Sequence, residues 1–185
     1  MNKLTKIKLL AMDVDGVLTN GSMIFGAEGD IKIYNALDGL GIRLAMAIGL
    51  DIAWITGNTS AAVAARAKTL KVTELHQGQR YKSVALQDIA ERKGLAMDEI
   101  AYIGDDLNDL PAMDIAGVSF TVPNAASEVK VAADYVTEKS GGHGAVREVI
   151  EMILKAQDRW DDGVQTFLNV LKEEQAKGEA PGAVT

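Results

Sequence analysis

Lys8–Thr19 reads KLLAMDVDGVLT. Its apolar half has the length of one buried strand, and Gly16 bounds it. Asp13 and Asp15 stand at the exit, where carboxylates must point at water, at a cation, or at both, because burying them unpaired is costly. Residues two apart on an extended chain share a face, so the two side chains converge on one small volume. Like charges held that close need a shared proton or a cation. Mg²⁺ suits them, being a hard ion that takes oxygen ligands and keeps several waters. Gly16 permits a tight turn and the close approach of a ligand. Taken alone, the DxD also fits an ordinary acidic loop after a strand.

Outward from this stretch, short apolar runs alternate with helical patterns. Ser22–Phe25 and Ile31–Tyr34 flank a glycine-containing loop, which predicts a β-hairpin flap over about residues 20–34, too small to be a cap domain. Asp38–Leu50 has helical spacing, with Leu40, Leu44, Ala47 and Ile48 inward and Gly49 as a stop. Asp51–Ile55 reads as a strand that runs into Thr56, Gly57 and Asn58, and Ser60 caps an alanine-rich helix to Leu70. Val72–Leu75 is a third strand, and Lys82 heads an amphipathic helix that Gly94 ends. Glu99–Ile103 is a fourth, followed by Gly104, Asp105, Asp106, Leu107, Asn108 and Asp109. Pro111 sits early in the next short helix. Val118–Val122, a small helix to Ala132, a strand at Tyr135 and Val136, and a helix from Ala145 to Trp160 complete the pattern.

This alternation predicts an α/β fold, a mainly parallel Rossmann-like sheet flanked by helices, over residues 1–160. A further helix and a tail, its last ten residues mobile, are expected over residues 161–185. The formal charge of -7 without basic blocks argues against a nucleic-acid partner. The chain has no cysteine, so neither disulfides nor thiolate metal sites hold it together, as suits a cytoplasmic protein. The basic opening leads straight into DVDG rather than to a small-residue cleavage site, and no apolar run is long enough to cross a membrane.

In parallel sheets ligands bind beyond the carboxyl ends of the strands. DVDG, TGN, the loop before Lys82 and GDDLND all follow apolar strands, so four polar clusters are expected along one edge. Individually each is bland: Thr56 can start a helix, Lys82 can be solvated, and Asp105, Asp106 and Asp109 can favour a helix dipole. Together they form a toolkit for phosphoryl transfer. Asp13 attacks phosphorus, Asp15 serves as acid and then base, and Thr56 and Lys82 stabilise the phosphoryl charge. Mg²⁺ would be held by Asp13, Asp105 and the backbone carbonyl of Asp15. His76 and His143 are isolated and carry no metal pattern.

DVDGVLT, ITG, Lys82 and GDDLND resemble the four ordered motifs of the haloacid dehalogenase superfamily of phosphatases, over roughly residues 7 to 159. DGLGIR at 38–43, QGQ before Lys82, ADYVT at 133–137 and GGHGAVREV at 141–149 narrow the resemblance to its capless sugar-acid phosphatases. The resemblance implies a Mg²⁺-dependent phosphomonoesterase acting on 3-deoxy-D-manno-octulosonate 8-phosphate. It also implies a homotetramer whose hairpins pack centrally and whose active sites lie at subunit interfaces. It places metal ligation at Asp13, Asp15 and Asp105, with Asp106 and Asp109 behind them. Phosphate contacts fall on Thr56, Gly57 and Lys82, and further substrate contacts on Asn35, Asp38, Gly39, Arg43, Asn58 and Arg66. Two arginines suit an acid sugar, because guanidinium pairs well with carboxylate and phosphate.

Three positions depart from the pattern: Leu37 and Asn58 stand where arginines are expected, and the GGRG loop carries His143. These departures keep open an N-acylneuraminate 9-phosphate or a neutral phosphosugar as substrate. A phospho-accepting signalling receiver uses the same residue types, but there the order differs: here the acceptor is half of a first-strand DxD, and the acidic pair follows the lysine.

Overall fold

The computed structural model describes residues 3–27 and 29–176. Strand β1 (Leu9–Met12) is buried at every position, as an uninterrupted apolar run requires when both faces of a parallel sheet are covered. A hairpin follows, β2 (Ile24–Gly26) and β3 (Gly29–Ile31), antiparallel and forming a separate sheet. Next come helix α1 (Ala36–Ala47), β4 (Asp51–Ile55), α2 (Ala61–Leu70), β5 (Glu74–His76) and α3 (Lys82–Lys93). The second half runs β6 (Ile100–Gly104), α4 (Leu110–Ile115), β7 (Val118–Thr121), α5 (Ser127–Ala132), β8 (Tyr135–Val136), α6 (Ala145–Ala156) and α7 (Trp160–Ala176).

The main sheet is parallel throughout, in the order β5-β4-β1-β6-β7-β8. β1 lies in its interior with Leu9 in register with both Asp51 and Ile100. That order puts the exits of β1, β4 and β6 side by side. α1 packs with α6 and α7, and α3 packs with α4. Trp54, Tyr102 and Phe120 are the largest aromatic side chains buried within the strands.

Several boundaries differ from the sequence expectation for local reasons. α1 starts earlier, because the Asn35 side chain accepts from Leu37 N at 2.8 Å and caps it. The hairpin strands hug a tighter turn than the predicted arms, and the third sheet strand begins at Glu74 rather than Val72. The helix expected to reach Trp160 stops at Ala156. The chain turns through Asp158 at φ +54° and restarts as α7. The last residues, expected to be mobile, lie outside the described residues except for Ala176. Among the described residues, no helix is long and apolar enough to cross a membrane.

Candidate active site

Asp13, the first residue beyond β1, donates its N–H to Ile103 O at 3.0 Å, so the ladder with β6 holds it in place. The turn after it is built for close approach. Gly16 has φ +98°, and a Cβ there would lie 1.9 Å from Asp105 Oδ2. Gly141 presses on the same turn, where a Cβ would meet Gly16 O at 1.7 Å. Asn124 ties the two together, donating to Gly16 O at 3.0 Å and accepting from Gly141 N at 2.7 Å.

At the exits of β1, β4 and β6, a pocket of about 590 Å³ gathers Asp13, Asp15, Thr56, Gly57, Asn58, Lys82, Asp105 and Asp106. The four predicted clusters therefore meet along one edge. A larger groove of about 890 Å³ lies elsewhere, around Lys6, Asp98 and Arg159. Two of its carboxylates are already paired, Asp98 with Lys6 at 2.7 Å and Glu99 with Lys8 at 2.5 Å, and it holds no convergent catalytic set.

Lys82 is 1 % exposed and bridges Asp13 Oδ1 at 2.8 Å and Asp109 Oδ1 at 2.7 Å. Burial opposes its charge, but Asp13 and Asp109 outweigh burial and raise its pKa above the ordinary lysine value. Carboxylate oxygens of Asp13, Asp105 and Asp109 lie within 4.8 Å of one another. Burial, then the charge of Asp109, pushes Asp13 up to about 7 against the pull of Lys82. Burial, then Asp13 and Asp109, pushes Asp105 up to about 8. Asp105 Oδ1 is buried with no hydrogen-bond partner. An orphaned carboxylate oxygen facing a second crowded carboxylate fits a hard cation such as Mg²⁺.

Asp109 has a different job. Its Oδ1 accepts from Lys82 Nζ and from Tyr102 OH, both at 2.7 Å. Its Oδ2 accepts from Asp105 N at 3.0 Å and Asp106 N at 3.2 Å. With both oxygens committed, it supports the loop rather than facing a metal. Asp106 is exposed and caps the following turn by accepting from Leu107 N at 2.8 Å.

The Asp15 carboxylate is not part of the three-carboxylate cluster. Lys32 ion-pairs with its Oδ1, and Asn58 Nδ2 donates to its Oδ2 at 3.0 Å. Lys32, whose side chain is 1 % exposed, comes from just beyond β3. The hairpin is also pinned through Asp30, which accepts from Ser60 Oγ at 2.9 Å at the start of α2. Thr56 is buried, donates its N–H to His76 O at 2.9 Å, and accepts from Asn58 N at 3.3 Å through Oγ1.

Asn35, Asp38, Gly39 and Arg66 do not line this pocket; they surround a small closed space with Tyr34 and Trp54. Asn35 is occupied in capping α1, Asp38 Oδ1 accepts from Arg147 N at 2.8 Å, and the Arg66 guanidinium lies 5.6 Å from the Tyr34 ring centroid. Arg43 faces a separate groove beside Met46 and Phe167. Gly21, Arg80 and Asn108 also line the catalytic pocket; Arg80 and Asn108 fall within clusters expected at this edge, but the sequence assigned none of the three a role, and it did not foresee the contact of Lys32 with Asp15. The alternation of Asp30 and Lys32 in one hairpin arm was the available signal for a shared face.

A family profile described as haloacid dehalogenase-like hydrolase matches residues 52–150. The chain is 43% identical over 163 residues to 3-deoxy-D-manno-octulosonate 8-phosphate phosphatase KdsC of Escherichia coli (strain B / BL21-DE3), covering 88% of this chain and 87% of that one. It belongs to the haloacid dehalogenase-like hydrolases. Within them it is a phosphatase. The Yersinia pestis KdsC is 41% identical to this hydrolase over 160 residues, 86% of each chain. Among solved structures, the Moraxella catarrhalis enzyme of the same name, in complex with magnesium, phosphate and KDO, superposes with a TM-score of 0.85 at 45% identity. That match covers 89% of this chain and 95% of the other. The cobalt-bound Haemophilus influenzae enzyme gives 0.85 at 39% identity, with 90% and 99% covered.

Proposed function

We propose that this hydrolase cleaves 3-deoxy-D-manno-octulosonate 8-phosphate through a phospho-aspartate on Asp13. The observation that carries the reading is the placement of Asp13 between the Lys82 ammonium at 2.8 Å and the orphaned carboxylate of Asp105. Asp13 attacks phosphorus, and the bond to the sugar oxygen breaks as Asp15 delivers a proton to it. Asp15 then removes a proton from the water that attacks the acyl phosphate, which releases phosphate and restores Asp13. Thr56 and Gly57 donate to the phosphoryl oxygens, while Lys82 holds Asp13 in line and balances its charge. Asp13 and Asp105, with the backbone carbonyl of Asp15, would hold Mg²⁺, which when bound neutralises phosphoryl charge and orients the in-line displacement.

The hydrolase is also proposed to act as a homotetramer with shared active sites. Phe25 is 76% exposed and Ile33 67% exposed on and beside the hairpin, and large apolar side chains left in water on one short segment favour a partner. The substrate contacts expected at Asn35, Asp38, Gly39, Arg43 and Arg66 lie outside the chain's own catalytic pocket. That separation fits a site completed by a neighbour. Leu37 and Asn58 favour a second reading, in which the ester is an N-acylneuraminate 9-phosphate or a neutral phosphosugar.

The test is phosphate release with Mg²⁺ across these three substrate classes and an aryl phosphate. The octulosonate ester is expected to have the highest kcat/KM; a higher value for either alternative would overturn the substrate. Asp13→Asn should abolish release and leave the fold intact, and full activity in that variant would overturn the mechanism. Only monomers in solution would refute shared sites.

A further inference from the structure

Four carboxylates, from Asp13, Asp15, Asp105 and Asp106, line the catalytic pocket against two cations, Lys82 and Arg80. Lys82 is committed to Asp13 and Asp109. Arg80 is exposed and, among the described residues, makes no ion pair; its guanidinium rests 5.9 Å from the ring centroid of Tyr81. A phosphorylated sugar acid carries negative charge at both ends, so this pocket needs a cation beyond those that serve the phosphoryl group.

The depth of the pocket assigns the ends. Asp13, Thr56 and Lys82 are buried at its floor, where the phosphoryl group reacts, whereas Arg80 stands at the exposed rim. A guanidinium there meets the part of the substrate farthest from the phosphate. Its loop is firmly placed: Gly78 N donates to Asn58 O at 3.1 Å, Gln79 N to Thr56 O at 2.9 Å, and Gln77 Oε1 accepts from Ser60 N at 2.7 Å. The loops at 56–60 and 77–79 are therefore stitched into one wall, and a cation carried by either serves the same pocket. On the first loop, position 58 is an amide whose Nδ2 is engaged by Asp15 at 3.0 Å.

We propose that Arg80 is the specificity-determining cation of this site, pairing with the substrate carboxylate in place of the arginine that position 58 lacks. This rests on the reading of the substrate as a sugar-acid phosphate. Arginine suits the task because its planar fork matches a carboxylate through two parallel hydrogen bonds.

The experiment compares kcat/KM for the octulosonate ester and for the analogue whose carboxylate is reduced to an alcohol, in the parent, Arg80→Gln, and Arg80→Gln combined with Asn58→Arg. In Arg80→Gln the acid-to-neutral ratio should fall about tenfold, mainly through KM for the acid, as expected for one charged hydrogen-bonded contact near the surface. Adding Asn58→Arg should restore most of that ratio, because the charge returns on the neighbouring loop of the same wall. Equal losses on both substrates, or an unchanged ratio, would overturn the assignment of Arg80. A parent enzyme that does not prefer the acid overturns the substrate reading instead, a result visible before any variant is made.

Discussion

Asp109→Asn replaces an acceptor-only group by one that is half donor, and the structure surrounds that group with donors. Lys82 Nζ and Tyr102 OH face one carboxylate oxygen, and the N–H groups of Asp105 and Asp106 face the other. Whichever way the amide is turned, its NH₂ points at two donors. In either orientation the Lys82 ammonium loses one of its two counter-charges, and if the NH₂ faces Lys82 the buried Tyr102 hydroxyl also loses its acceptor. If it faces the backbone, the turn that carries Asp105 loses its anchor. Either orientation forfeits two buried hydrogen bonds, and the loss of a buried charge pair alone costs about 3 to 5 kcal/mol. For a domain of this size that corresponds to a fall in Tm on the order of 10 °C. Urea unfolding with Mg²⁺-dependent phosphate release measures both consequences. Asp106→Asn is the control, because that side chain is exposed and an amide oxygen caps Leu107 N as well as a carboxylate does. It should stay within about 1 kcal/mol of the parent. Asp109→Asn with parental stability and full turnover would refute the argument that Asp109 organises both Lys82 and the Asp105 turn.

Gly16→Ala places a methyl group 1.9 Å from Asp105 Oδ2 at φ +98°, so Asp105 must move. The Mg²⁺ concentration for half-maximal phosphate release should rise by about tenfold or more, in line with disturbed support of a metal ligand; an unchanged Mg²⁺ requirement would count against Asp105 as a ligand. Outside the pocket lining, Glu74 bonds the Arg92 guanidinium at 3.0 and 3.1 Å, and this, opposed by burial and aided by His76, lowers its carboxyl from 4.5 to about 2. Its folded pKa is depressed, so its contribution is fully present above the unfolded value and is lost as pH falls toward the folded one. Discounted for the exposed guanidinium, Glu74→Gln should cost about 1 kcal/mol near pH 6 and less than half of that near pH 3. A gap in unfolding free energy that does not shrink with pH would exclude Glu74 as its source.

By itself the sequence determined the order of the elements and the edge at which the chemistry gathers. Apolar runs, helical spacing and punctuating glycines are local, and a run such as Leu9–Met12 ending in two aspartates cannot continue into a core. Its motifs also carried the resemblance to the family that the comparisons then showed. Where sequence reasoning shifted, at the start of α1 and the break before α7, one capping side chain or one left-handed residue decided the boundary. Only the tertiary structure separated acidic residues that look alike in the chain. The order β4-β1-β6 sets Asp13 beside Asp105 and brings Lys82 between Asp13 and Asp109, so Asp109 is buried under four donors while Asp106, three residues earlier, faces solvent. The hairpin folds back to bury Lys32 against Asp15, and two stitched loops put Arg80 on the pocket wall while Arg66 turns inward to Tyr34. Such pairings depend on which strands become neighbours across long stretches of chain, and a periodicity of 2 or 3.6 residues carries no information about that.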